Sequence, residues 1–448
     1  MAGKQVAPTS QSMPGPVYVQ RTQNFVWDTL NSNTPKLVSC SESSVDGLQT
    51  WQTAYTYDYA GRMATMTTWQ NFAANSGAAV TTWNYDPYQG FLAGKVYADG
   101  NGPTYTYDAD LRRTTLAALN GTTPLTTTTY GYDHASRLLT VNDGNNNVAT
   151  YSYLANSPLV GQIVFTKSGS VRMTTTKQYD DLNRLTQISS APSGSGLLPL
   201  TYAYTYNNAN QRTKNTFSDG SHWVYQYDSL GQVTSGKRYW SDGTPVAGQQ
   251  YDYAFDTIGN RTQTQSGGDT NGLNLRVANY SANLLNQYTG RTVPGTNDII
   301  GAALLGTNVT VNGVAADRKA KYFHGTAGTN NASSPAWLGV TAAGAGATVP
   351  GHLYVPQTPE QFQYDPDGNL TNDGRWAYTW DGENRLIAMT VNTNVGPQYQ
   401  LTFSYDSQGR RIQKIVTTNG VTFTTINFLY DGWNLIAVLS QISNLQST

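Results

Sequence analysis

The groups in this chain that could do chemistry are its carboxylates and its few histidines, and their spacing decides what they can do. Paired Asp or Glu residues could serve as acid and base in a polysaccharide hydrolase. Grouped His, Cys and acidic residues could hold a metal. The four histidines, His134, His222, His324 and His352, are scattered without metal-ligand spacing, and Cys40 is the single cysteine. Asp365, Asp367, Asn369 and Asp373 have the outline of a calcium loop, but Gly368 is displaced and the twelfth position is Trp376 where a bidentate Glu is needed. No Gly-x-Ser-x-Gly, His-Glu-x-x-His, P-loop or dinucleotide fingerprint occurs. The sequence therefore assigns no catalytic, cofactor-binding or metal-ligating residue, and a non-enzymatic role is expected.

Many of the aspartates recur in a fixed setting: Tyr-Asp, two variable residues, a turn residue, then Arg, Asn or Gln, then an apolar residue. Clear copies begin at Tyr57, Tyr107, Tyr132, Tyr179, Tyr227, Tyr364 and Tyr405, with a shortened copy at Tyr430. Variants begin at Tyr85, Tyr206, Phe255 and Trp380, and Tyr153 opens an eroded copy. Alternating aromatics precede the motif, as in Tyr105 and Tyr107 or Tyr225 and Tyr227, and period two puts such rings on one face of a strand. The Asp opens a four-residue turn, where its carboxylate can accept backbone N–H groups two and three residues on. Gly or Asn three residues later takes positive φ at low cost, and the apolar residue starts the returning strand. The recurrent Asp, Asp58, Asp180 and Asp228 among them, is thereby a turn former and not half of a catalytic pair.

Composition agrees with strands and tight turns. Charged residues are 12% of the chain, 31 residues are Tyr, and polarity comes from Thr, Asn, Gln, Ser and 43 Gly. The net charge of −1, without a basic stripe, gives no surface for tracking nucleic-acid phosphates. The longest apolar stretch, Ile299 to Leu305, is too short to cross a bilayer, and residues 1–16 have no apolar core of signal-peptide length. Two strands per unit imply about 24 strands and a ribbon on the order of 115 Å wide. Ribbons that wide curl, split or close, which also covers strand edges. The expected fold is all-β, with tandem hairpins wound into a curved or spiral β-shell.

Four segments follow. Residues 1–50 form a lead-in with a flexible start, and residues 51–265 a first run of shell repeats. Residues 266–360 are an inserted β-module or eroded repeats, and residues 361–448 a second run of shell repeats. Within the interruption, Asn312-Gly313 reads as a type I′ hairpin turn. Ala342 to Val349, together with Pro350, Pro356 and Pro359, reads as loop.

The segments YDYAGRM, YDDLNRL, YDPDGNL, WDGENRL and YDGWNLI resemble the YD repeats of the RHS family, bacterial relatives of the Tc-toxin C subunit and of animal teneurins. The resemblance spans about Tyr55 to Leu439. It implies a hollow, spirally wound shell enclosing a toxic polypeptide, with a self-cleaving aspartate protease region after the last repeats. It also implies secretion or a place on the cell surface. The sequence ends at Thr448, soon after YDGWNLI, and its Asp-Pro-x-Gly at Asp365–Gly368 lies inside a regular repeat, so neither protease nor toxin is expected on these residues. The expected part is a partial container without self-cleavage, whose partner is a polypeptide cargo or further shell segments. The competing readings are an adhesin or carbohydrate-binding surface using Trp69, Trp83, Trp240 and Trp433, and a polysaccharide hydrolase. The turn roles of the aspartates disfavour the hydrolase.

Overall fold

The computed structural model describes residues 3–4, 22–28, 36–43, 50–71, 74–406 and 408–442. The described residues contain no helix, so none is long and apolar enough to cross a membrane. Each strand pairs antiparallel with its sequence neighbours in one continuous ribbon, from Thr22–Asp28 through Lys36–Ser43 and Thr50–Tyr57 as far as Tyr288–Arg291. The lead-in strands expected before residue 50 are thus the first rungs of the ribbon; of the start expected to be flexible, Gly3–Lys4 pairs with Phe25 and Asn24, and the rest lies outside the described residues. Local sequence explains the ladder. Thr, Val and Tyr recur along the strands, and a left-handed residue, most often Gly or Asn, closes the turns between them.

The copies at Tyr57, Tyr107, Tyr179 and Tyr227 all place their Tyr as the last residue of a strand. The register slips by one residue at that Tyr, so Tyr57 faces Met63 and Tyr227 faces Val233. A bulge there adds right-handed twist at the same place in every unit. The twist accumulates along one edge, and the ribbon coils instead of lying flat.

The coil returns upon itself. A second, 8-stranded sheet runs from Gln363–Tyr364 to Asn434–Ile442, and it lies against the early strands. Thr53 contacts Glu383, Lys95 contacts Gln408, and Arg113 contacts Asp431, at sequence separations of 330, 313 and 318 residues. The near-constant separation means that the two stretches run side by side in the same sense, as successive windings of a spiral do. Between them Tyr97 and Ala118 meet Ile412 and Leu429 in a buried apolar cluster.

The interruption is a module that leaves the ribbon and comes back to the same rung. The ribbon runs on past residue 265, because Tyr288–Arg291 still belongs to it, and Glu360–Gln361 pairs back onto that strand at Gly290 and Arg291. Thr296–Ala302, Asp317–Lys319 and Tyr322–Gly328 form one small sheet. Val309–Val311, Val314–Ala315, Ala336–Gly344 and Ala347–Val355 form another. The two close over Val309, Val311, Phe323 and Ala327. Asn312 and Gly313 both have positive φ, as the type I′ turn requires. The loop expected over 342–350 is instead the centre of a long hairpin, with its turn at Ala345 and Gly346. Pro350 is tolerated because Ala347–Val355 is an edge strand, where the missing N–H breaks no ladder bond.

Candidate functional site

The structure commits the repeat carboxylates to their own turns. Asp180 Oδ1 accepts the N–H groups of Leu182 and Arg184 at 3.0 and 2.9 Å, and its Oδ2 accepts from Arg184 Nε at 2.7 Å. Asp108, Asp133 and Asp381 repeat this geometry. The carboxylate therefore reaches two and four residues on, not two and three as the sequence suggested. The third residue sits in the left-handed region and turns its own N–H to the Asp carbonyl, as Asn183 does at 2.9 Å. The lengthened copy keeps the expected pattern, with Asp86 Oδ1 accepting from Tyr88 and Gln89. The Arg112 N–H, with the Arg112 side chain behind it, holds the Asp108 carboxyl below its usual range.

The Arg of one unit reaches the Tyr of the next. Arg62 lies over the Tyr85 ring at 4.2 Å, Arg137 over Tyr153 at 4.3 Å and Arg184 over Tyr206 at 5.0 Å. The Tyr hydroxyl answers by donating to the preceding unit: Tyr85 to the Met63 carbonyl at 3.0 Å, Tyr153 to Leu138 at 2.6 Å, Tyr206 to Leu185 at 2.7 Å. Asp, Arg and Tyr thus form one chain of contacts along the rim of the ribbon. The eroded copy at Tyr153 keeps the Tyr link although Leu154 stands in the Asp position. A further copy escaped the sequence search: Asn283 Oδ1 accepts from Leu285 and Gln287, with Ala282 where Tyr is usual. Asn–x–x–Asn–Gln after a strand bearing Tyr280 was the signal that could have found it.

Burial of the same motif changes where the windings overlap. Asp381, Asp406 and Arg410 are buried, because their turns lie beneath the earlier winding. There Glu383 Oε1 accepts from the Thr53 and Tyr55 hydroxyls, and Lys95 Nζ donates to Gln408 Oε1 at 2.7 Å. Burial, with repulsion from Arg410, pulls the Lys95 ammonium down to about 8. A cavity of about 230 Å³ opens in this seam between Trp69, Glu383 and Phe403.

Of the tryptophans singled out for stacking on sugars, three are engaged. Trp69 Nε1 donates to Asn75 Oδ1, Trp83 lies under Lys95 at 5.4 Å, and Trp240 packs edge-on to Tyr322 at 5.6 Å. Trp433 stands 73% exposed at a hairpin turn. Asp365 caps its turn by accepting from Asp367 and Asn369, which is repeat geometry and not a calcium loop.

The histidines divide in the same way. His134 is exposed on a turn, His222 stacks on Tyr239 and His352 stacks on Trp337. His324 is different. Folding of the module brings it against Asp298 and Asp317, residues 26 and 7 positions away that no motif connects. It lines a cavity of about 240 Å³ where the module meets the ribbon, with Trp240, Thr244, Asp317, Lys319 and Tyr322. Burial holds its imidazole below the ordinary value, against the opposing pull of Asp317.

No protein-family profile matches the chain. It is 42% identical over 76 residues to a tRNA3(Ser)-specific nuclease WapA of Bacillus spizizenii, and 43% identical over 76 residues to a tRNA nuclease WapA of Bacillus subtilis. Each match covers 17% of this chain, and the chain spans 3% of the length of these relatives. Among solved structures it is similar to TcdB2-TccC3-Cdc42, at 13% identity and a TM-score of 0.35, over 94% of this chain and 24% of that one. It is also similar to a Photorhabdus luminescens Tc holotoxin pore, at 13% identity and a TM-score of 0.36, over 92% and 25%.

Proposed function

We propose that the chain is a structural container, part of an RHS-type β-shell that encloses a polypeptide cargo outside the cell or at its surface. The observation that carries this reading is the seam, where strands more than 300 residues apart lie side by side at near-constant separation. A ribbon that meets itself in register makes a wall, and a wall suits enclosure better than catalysis. The repeat carboxylates support it, since the turns use them up. The WapA relatives match over a short stretch of much longer polypeptides named as nucleases, which fits repeats that accompany an activity located elsewhere. A carbohydrate-binding reading rests on exposed Trp433 alone.

The test uses the whole product of the gene. Digested with a non-specific protease under native conditions, a polypeptide segment flanking residues 1–448 should survive, and it should be lost once urea unfolds the shell. Equal digestion of every flanking segment in both conditions would overturn the container.

A further inference from the structure

We propose that His324 and Asp317 form a half-site for a divalent cation of the zinc class, open to the cavity beside Trp240. The inference does not depend on the container reading. It begins from the hydrogen bond between His324 Nε2 and Asp298 Oδ1 at 2.8 Å. Asp298 also pairs with Arg276, which favours its ionised form. A carboxylate can only accept, so Nε2 carries a proton, and in the neutral imidazole that burial favours Nδ1 presents its lone pair. That Nδ1 is buried and has no hydrogen-bond partner, on a side chain only 7% exposed. It faces the Asp317 carboxylate, with Oδ2 at 3.5 Å.

The distance discriminates among the ways of reconciling two facing acceptors. A direct N–H···O bond would bring the atoms to about 2.7–3.2 Å, so 3.5 Å is too long. A bridging water at about 2.8 Å from each atom would have to accommodate an angle of about 77°, too acute for its two hydrogens. A cation at about 2.0–2.1 Å from each atom subtends about 117°, close to tetrahedral. A carboxylate on the far ring nitrogen is also the usual orienting partner of a metal-bound histidine. Here Asp298 would be the positioning residue.

Among the described residues no third His, Cys, Asp or Glu completes the set. The remaining positions would therefore go to water or to a ligand entering the cavity, the open arrangement of a site that exchanges ligands. The neighbouring cations are held by other partners, Arg276 by Asp298. Lys319 is paired with Asp242 at 2.6 Å, and Arg318 donates to the Leu304 and Ala320 carbonyls. The sequence could not show this site, because His324 and Asp317 meet only when Asp317–Lys319 folds back on Tyr322–Gly328.

The test is calorimetric titration of the metal-stripped chain with Zn²⁺. One equivalent should bind, and Asp317→Asn, at a largely exposed side chain, should weaken binding at least about tenfold while leaving the melting temperature of the metal-free protein unchanged. Asp298→Asn should weaken it as well, and His134→Gln and His352→Gln should have no effect. The absence of saturable binding would overturn the proposal, as would binding that Asp317→Asn leaves intact or that depends on His134 or His352. If instead His324 takes a second proton and bridges the two carboxylates, Asp317→Asn will alter the pH dependence of stability without any zinc binding to lose, and the proposal fails.

Discussion

Arg410 Nε donates to Asp406 Oδ2 at 2.8 Å with the two side chains 2% and 1% exposed, whereas Arg184 makes the same bond to Asp180 at 2.7 Å with both side chains 25% exposed. One motif therefore exists in two dielectric settings, and the overlap of the windings makes the difference. Asp406→Ala leaves a guanidinium buried without its counter-ion, a change that costs about 3 kcal/mol or more. Asp180→Ala exposes the corresponding Arg to water and should cost several-fold less. Urea midpoints of the two variants check this, and equal losses would show that winding burial adds nothing to the turn.

Leu111 holds φ +66°, the position that Gly61, Asn183 and Gly231 occupy in sister units. A Leu there bears the clash between Cβ and the following carbonyl that Asn and Gly tolerate better. Leu111→Asn should raise stability on the order of 0.5 kcal/mol, and Asn183→Leu should lower it by a similar amount. Thermal denaturation of both variants tests the pair, and the same sign of change in both would refute it.

Tyr206 donates its hydroxyl to the Leu185 carbonyl of the preceding unit, while Tyr59 points into solvent from a turn. Tyr206→Phe should cost about 1 kcal/mol, the net worth of one such bond. Tyr59→Phe should cost nothing measurable. Hydrogen exchange at the rungs on either side of Tyr206 should quicken in the first variant, and unchanged exchange there would argue that the rim contact is ornamental.

Lys95 gives a pH dependence with a definite sign. Its folded value, about 8, lies below the ordinary lysine value of 10.5, so between these values the unfolded chain holds a proton that the folded chain has released. The stability contributed by this group therefore rises with pH across that window and is at its lowest below it. Lys95→Met should gain most over the natural residue at pH 7, with the advantage shrinking as the pH approaches 10. The loss of the donor to Gln408 offsets part of the gain at every pH. A difference in urea midpoint that stays constant from pH 7 to pH 10 would sink the assignment.

The sequence by itself determined the unit. Tyr-Asp and a left-handed residue three positions on are a local code for a hairpin end, because turn geometry, side-chain capping and strand alternation each depend only on neighbours within about six residues. That is why the strands ending at Tyr57, Tyr107, Tyr179 and Tyr227 were legible, and why Asn283, which uses Asn for Asp and Ala for Tyr, was not. Local pattern also misjudged Ala342 to Pro350. A Gly- and Pro-bearing stretch reads as loop until an edge position in a sheet makes its missing N–H harmless. Only the tertiary structure decided which turns are buried, since burial of Asp406 and exposure of Asp180 follow from where the spiral overlaps. It alone set the depressed ammonium of Lys95 and the meeting of His324 with Asp298 and Asp317. Contacts between residues 313 positions apart, as for Lys95 and Gln408, depend on the summed twist of every intervening strand, and no short window of sequence contains that sum.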